Sequence, residues 1–91
     1  MKELLVGNKP LINYVLAGVG MLKDDDELVI KARGKAISKA VATAEMLRKQ
    51  FFPGELEVTD VKIDSETRPA PELGREVLVA SIEIYMRKKG N

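Results

Sequence analysis

Twelve consecutive residues hold the densest chemistry in this chain: Ile30-Lys31-Ala32-Arg33-Gly34-Lys35-Ala36-Ile37-Ser38-Lys39-Ala40-Val41. Lys31, Arg33, Lys35 and Lys39 fall inside the stretch and no acid does. The apolar residues before Gly34 read as a strand end and those after it as the start of a helix. Glycine reaches backbone angles that other residues avoid, so the strand can turn tightly there. A helix that begins at such a turn presents unpaired N–H groups and the positive end of its dipole. Cations beside helix N-terminal amides suit a phosphate. The plainer alternative is a cationic turn that faces only water, the usual fate of a charge run.

Other chemistries have less support. The chain has no histidine and no cysteine, which removes the commonest general base, the thiolate nucleophile, disulfides and thiolate metal sites. Ser38 beside Lys39 or Lys35 could suggest a serine–lysine pair, but no oxyanion donors or substrate pocket accompany it, and polar helix surface is the better reading. Asp24, Asp25 and Asp26 lack the alternate-position spacing of a calcium loop and read as a solvated acidic turn. Gly18-Val19-Gly20 sits inside a helical pattern and has no G-x-G-x-x-G continuation, so it is read as close helix packing. No catalytic residue, metal site or cofactor is expected.

The elements that must position the basic stretch fit one small domain spanning residues 1–91. Hydrophobic residues make up 45% and charged residues 32%, which suits a globular chain and excludes a disordered one. No apolar run is long enough for a membrane span. Met1-Lys2-Glu3 leads into a strand-like segment rather than a signal peptide, so a cytoplasmic protein with no membrane partner is expected. Fifteen bases against fourteen acids give a formal charge of +1, low for a nucleic-acid-binding domain. The distribution is uneven, however: residues 31–44 contain four bases and no acids, while Asp24 to Glu27 are all acidic.

Leu4-Leu5-Val6 reads as a first strand ended by Gly7-Asn8, and Lys9-Pro10 opens a helix, where proline is tolerated. Ile12, Val15, Leu16, Val19 and Leu22 have the spacing of a buried helical face. Glu27 to Arg33 is a second strand buried on both faces through Leu28-Val29-Ile30. Gly34 to Phe52 is a second helix with the stripe Ile37, Ala40, Val41, Ala44, Leu47 and Phe51, stopped by Pro53-Gly54. In a third strand the alternation slips near Thr59-Asp60, which predicts a bulge. The fourth strand alternates through Leu78, Ala80, Ile82, Ile84 and Met86. Asp64 to Glu76 is too long for a tight turn and reads as an extended arm or mobile loop. The basic C-terminus is expected to fray. The order β-α-β-α-β-β predicts an α+β two-layer sandwich, two helices on one face of a four-stranded mixed sheet.

The basic stretch, with Val6-Gly7-Asn8-Lys9-Pro10 and Asn13-Tyr14-Val15-Leu16 upstream and Phe51-Phe52-Pro53 and Ser81-Ile82-Glu83-Ile84 downstream, resembles the Alba family of archaeal nucleic-acid-binding proteins. The resemblance covers nearly the whole chain. It implies the same two-layer fold, similar to the C-terminal domain of a bacterial translation initiation factor. It also implies a homodimer that binds double-stranded DNA, RNA or both without sequence preference, associated with the chromosome. Arg33 and Lys35 match the basic residues that flank the family's glycine, here Gly34, and contact the nucleic-acid backbone. Lys9 matches the second lysine of the family's Gly-Lys-Lys-Pro turn. Asn8 replaces the first, which is acetylated in some members; asparagine can hydrogen-bond a phosphate but not neutralise it. Arg68 and Arg75 fall in the segment that reaches along the minor groove, although Asp64, Glu66, Glu72 and Glu76 offset them. Phe51 matches the phenylalanine that joins dimers side by side on DNA. Tyr14 could stack on a base or ribose, or be partly buried. A dedicated RNA-binding protein and a scaffold that docks an acidic protein remain the alternatives.

Overall fold

The structure is a computed structural model and describes residues 1–90; Asn91, the last residue of the basic terminus, lies outside them. Strand β1 (Lys2–Leu5) leads into helix α1 (Leu11–Asp24) and strand β2 (Glu27–Arg33). A 3₁₀ turn (Gly34–Ala36), helix α2 (Ile37–Met46) and a π turn (Leu47–Phe51) follow without a break. Strands β3 (Leu56–Ala70) and β4 (Arg75–Lys88) complete the fold, joined by a 3₁₀ turn at Pro71–Leu73. The sheet order is β1-β2-β4-β3, with β1 parallel to β2 and the remaining pairs antiparallel. This is the two-layer α+β arrangement that the element order implied.

One face of the sheet makes the core. Leu4, Ile30 and Ile84 lie abreast in register, as do Leu28 and Met86, and Ala32 and Ile82; all are buried beneath the helices. Val29 points to the other face and is buried too, flanked in register by Glu3 and Tyr85. The expected slip in β3 is present as a register shift between Val58 and Asp60.

The two helices turn differently from the apolar pattern. In α1 the buried residues are Tyr14, Val15, Gly18 and Leu22, while Ile12 and Leu16 are 47% and 56% exposed. Gly18 sets this orientation: a Cβ there would come within 2.8 Å of the Leu47 side chain, so the start of the π turn approaches α1 at a position that lacks a side chain. In α2, Val41 is exposed and Thr43 takes an inward place, its hydroxyl donating to the Lys39 carbonyl at 2.8 Å. The π turn inserts one residue after Leu47, closed by the Phe52 N–H to the Leu47 carbonyl at 2.9 Å. Phe52 rather than Phe51 therefore packs on the core, and Phe51 is left 40% exposed.

The segment 64–76 is an arm and not a mobile loop. β3 and β4 remain paired as far as Ala70 opposite Arg75, and the turn closes at Gly74 with φ +66°. Fifteen residues at about 3.3 Å each reach roughly 50 Å, in keeping with a long axis of 54 Å against 24 and 19 Å across. Pro69 is tolerated because β3 is an edge strand. The basic terminus is tied down through Lys89, whose N–H meets the Glu55 carbonyl at 2.8 Å.

Candidate nucleic-acid interface

The loop between β1 and α1 is held from two sides. Its backbone N–H groups at Gly7 and Lys9 both donate to the Tyr14 hydroxyl, at 2.9 and 3.1 Å. Its carbonyls at Gly7 and Lys9 accept from the Lys39 ammonium, at 3.2 and 2.6 Å. The four contacts fix the backbone and leave the Asn8 and Lys9 side chains exposed. Tyr14 is buried in the core, so its ring offers no face for stacking. Its part in the site is to position the loop. The Lys9 N–H above all, then the Gly7 N–H and the nearby Lys39 ammonium, hold the phenol below its ordinary pKa against the opposing effect of burial.

The strand-to-helix turn stands beside this loop, since Lys39 lies one helical turn beyond Lys35. Arg33 keeps an extended backbone and Gly34 turns at φ +60°. A Cβ at Gly34 would meet nothing within 4 Å, so the glycine is needed for conformation and not for space. No side chain caps the turn. The Lys35 side chain is exposed there.

Arg33 is placed otherwise. Its side chain crosses β4 to the arm, where its Nη1 donates to Glu66 Oε1 at 3.1 Å. Arg68 donates to the same oxygen through Nε at 3.0 Å and Nη2 at 2.7 Å. All three side chains are about half exposed, and ion pairs of this kind contribute about 0–1 kcal/mol. Arg75 stands apart at the tip of the arm, opposite Ala70. Lys31, the first cation of the basic stretch, lies on the open sheet face between Glu3 at 3.1 Å and Glu83 at 3.6 Å. Its hydrogen bond to Glu3 chiefly raises its pKa.

The structure thus brings together Asn8, Lys9, Gly34 and Lys35, links Arg33 to Arg68 through an acid, and sets Arg75 and Phe51 elsewhere. Sequence reasoning missed two residues that matter here, Lys39 as the loop's anchor and Glu66 as the bridge. Glu66 was findable in part, because residues two apart in a strand share a face, which puts it beside Arg68.

The family model described as Alba matches residues 2–65. The chain belongs to the Alba family. It is 48% identical over 90 residues to a protein of Nanoarchaeum equitans named DNA/RNA-binding protein Alba, covering 98% of this chain and all of that one. A protein of the same name from Methanocella arvoryzae is 44% identical over 86 residues, 93% of this chain and 88% of that one. Among solved structures, Alba from Thermoplasma volcanium superposes with a TM-score of 0.81 at 40% identity, covering 93% of this chain and 98% of that one. The Nanoarchaeum and Methanocella relatives are named as binding proteins, which agrees with the expectation of no catalytic function.

Proposed function

We propose that this Alba chain is a sequence-independent nucleic-acid-binding protein that coats double-stranded DNA as part of archaeal chromatin and also binds RNA. The observation that carries the reading is the pair of exposed lysines, Lys9 on the loop that Tyr14 and Lys39 hold in place and Lys35 on the adjoining strand-to-helix turn. Such groups meet phosphates and release counterions, and phosphate contacts carry no base information. The names of the two archaeal relatives support the same reading. No helix of the described residues is long and apolar enough to cross a membrane.

The working unit is a homodimer. On the helix-side face of the arm, exposed apolar residues continue outward from the core: Val61 beside Ile84, Ile63 beside Ile82 and, further out, Leu78. Ile63 is 79% exposed and Leu78 71%. A second copy would cover this surface, and a contiguous exposed patch of this kind marks an interface. Phe51 is exposed on another part of the surface and supplies a side-by-side contact between dimers on DNA. Light scattering across micromolar concentrations should give the dimer mass; a monomer mass throughout rejects this assembly.

Binding is tested by fluorescence anisotropy on two unrelated duplexes and on an RNA, each across a salt series. Lys9 and Lys35 from both protomers make up to four phosphate contacts, so the slope of log affinity against log salt on duplex DNA should approach about −3.6. The two duplexes should give the same slope and affinity. A slope near zero, or affinity for only one duplex, would overturn the electrostatic mechanism.

A further inference from the structure

Glu66 is an acid placed where the proposed ligand's own charge belongs. A single oxygen of its carboxylate takes three N–H groups from two arginines, one at the end of β2 and one on the arm. A cleft of about 180 Å³ opens at this junction, lined by Arg33, Asp64, Ser65, Glu66, Val79 and Ser81. The second acid of the cleft, Asp64, is turned to the Ser65 N–H at 2.7 Å and contacts neither guanidinium. Two guanidiniums that converge on one oxyanion are the arrangement that recognises a phosphate. Here the oxyanion is supplied by the protein.

We propose that Glu66 is an affinity-setting residue, an internal competitor that occupies the Arg33–Arg68 pair until a backbone phosphodiester displaces it. The inference rests on the nucleic-acid reading above. The exposed, weakly held carboxylate can be exchanged, because water reaches all three side chains. A phosphodiester brings the same charge and two oxygens in place of one, and it is held by neighbouring contacts at Lys9 and Lys35. Exchange has an electrostatic consequence. The phosphate that takes Glu66's place sheds its condensed cation, but a displaced Glu66 becomes a free carboxylate that attracts a cation of its own. The net release at this site is therefore small, although two cations are involved. Glu66 also ties the arm to the end of β2 in the free protein, so the same exchange frees the arm to follow the bound strand.

The test compares the wild type with E66Q and with E76Q. Glu76 lies exposed on the same arm and contacts neither arginine, so E76Q removes an equal charge without opening the pair. Affinity for a short duplex of scrambled sequence is measured across salt for all three. E66Q should bind about two- to fivefold more tightly per protomer near physiological salt, the range that follows from the strength of an exposed ion pair. Its slope should steepen by up to about 1.8 per dimer, one further phosphate for each protomer. E76Q should change affinity less and leave the slope as it is. Equal gains for E66Q and E76Q would reduce the effect to net charge and overturn the proposal. E66Q indistinguishable from a wild type that binds would overturn it alone. A wild type and E66Q that both fail to bind at low salt would remove the nucleic-acid reading and this inference with it.

Discussion

The lysines of the two loops and the arginines of the arm root carry the same sign of charge, but the chain treats them differently. Lys9 projects from a loop anchored by other groups, the Tyr14 hydroxyl and the Lys39 ammonium, and Lys35 projects from the adjoining glycine turn without an acidic partner among the described residues. Arg33 and Arg68 instead serve as their own anchors, spending their donors on Glu66. In the first region rigidity and free charge are supplied by separate residues. In the second a single ion pair supplies the rigidity and consumes the charge. A count of cations, which gives a formal charge of only +1, cannot register this difference. What matters for a polyanion is which cations remain unpaired on a fixed backbone.

The comparison fails most visibly if the loop lysines do not dominate binding. K9A/K35A removes up to four contacts per dimer and should flatten the salt slope by up to about 3.6. If half of those contacts are made at once, affinity near 0.1 M salt falls roughly 60-fold. Anisotropy on any duplex measures this, and a loss under threefold would show that these lysines face only water. The next largest effect tests the anchoring. Y14F keeps every charge but takes away the acceptor of the Gly7 and Lys9 N–H groups, so the loop loosens. Affinity should fall several-fold while the salt slope stays as in the wild type, with melting lowered by a few degrees. A changed slope would mean that Tyr14 does more than position the loop.

Much of this was legible in the sequence, and the gaps have physical causes. The fourth strand and the bulge near Asp60 follow from alternation, which is strong wherever helices cover the sheet, and the buried β2 follows from its unbroken apolar run. Alternation weakens along the arm, where Ser65 and Thr67 take helix-side places opposite Ala80 and Leu78 and nothing in the chain covers them. The pattern therefore does not mark strands as far as Ala70 and Arg75. An apolar count misplaces the buried face of α1, because a glycine, invisible to such a count, decides where the helix meets Leu47. A 3.6-residue period puts Phe51 on the inward stripe, and the π turn breaks that period. The basic turn is fully local, and its order of strand, glycine and helix is legible in the sequence, with a short 3₁₀ turn between the strand and α2. Glu66 lies 33 residues from Arg33, and no local pattern links the two.

A smaller effect separates the two kinds of cation directly. R33A should weaken binding only about two- to fivefold, less than K35A, because Glu66 already neutralises part of that charge. The ranking should close in an E66Q background, where Arg33 is unpaired and its removal costs as much as that of Lys35. If R33A is the more damaging change in the wild type as well, the ion pair does not persist in solution.

The smallest effect belongs to the compensated charges of the open sheet face, which should matter for stability in acid and not for binding. Tyr85 donates to Glu83 Oε1 at 2.6 Å, and this hydrogen bond, ahead of the Lys31 ammonium, holds the Glu83 pKa below its ordinary value. A carboxylate depressed by folding stabilises the protein fully above its unfolded pKa, about 4.5 here, and that contribution is lost as pH falls through the folded value. Y85F removes the leading cause, so Glu83 should titrate closer to 4.5. The variant should then differ from the wild type in acid sensitivity: the stability gap between them is present at neutral pH and narrows as both carboxylates take up protons. Carboxyl NMR titration of Glu83, with urea unfolding over the same pH range, measures both quantities. Affinity for duplex DNA at neutral pH should be the same for Y85F and the wild type. A loss of binding in Y85F would bring Lys31 and Glu83 into the interface and end the distinction between displayed and compensated cations.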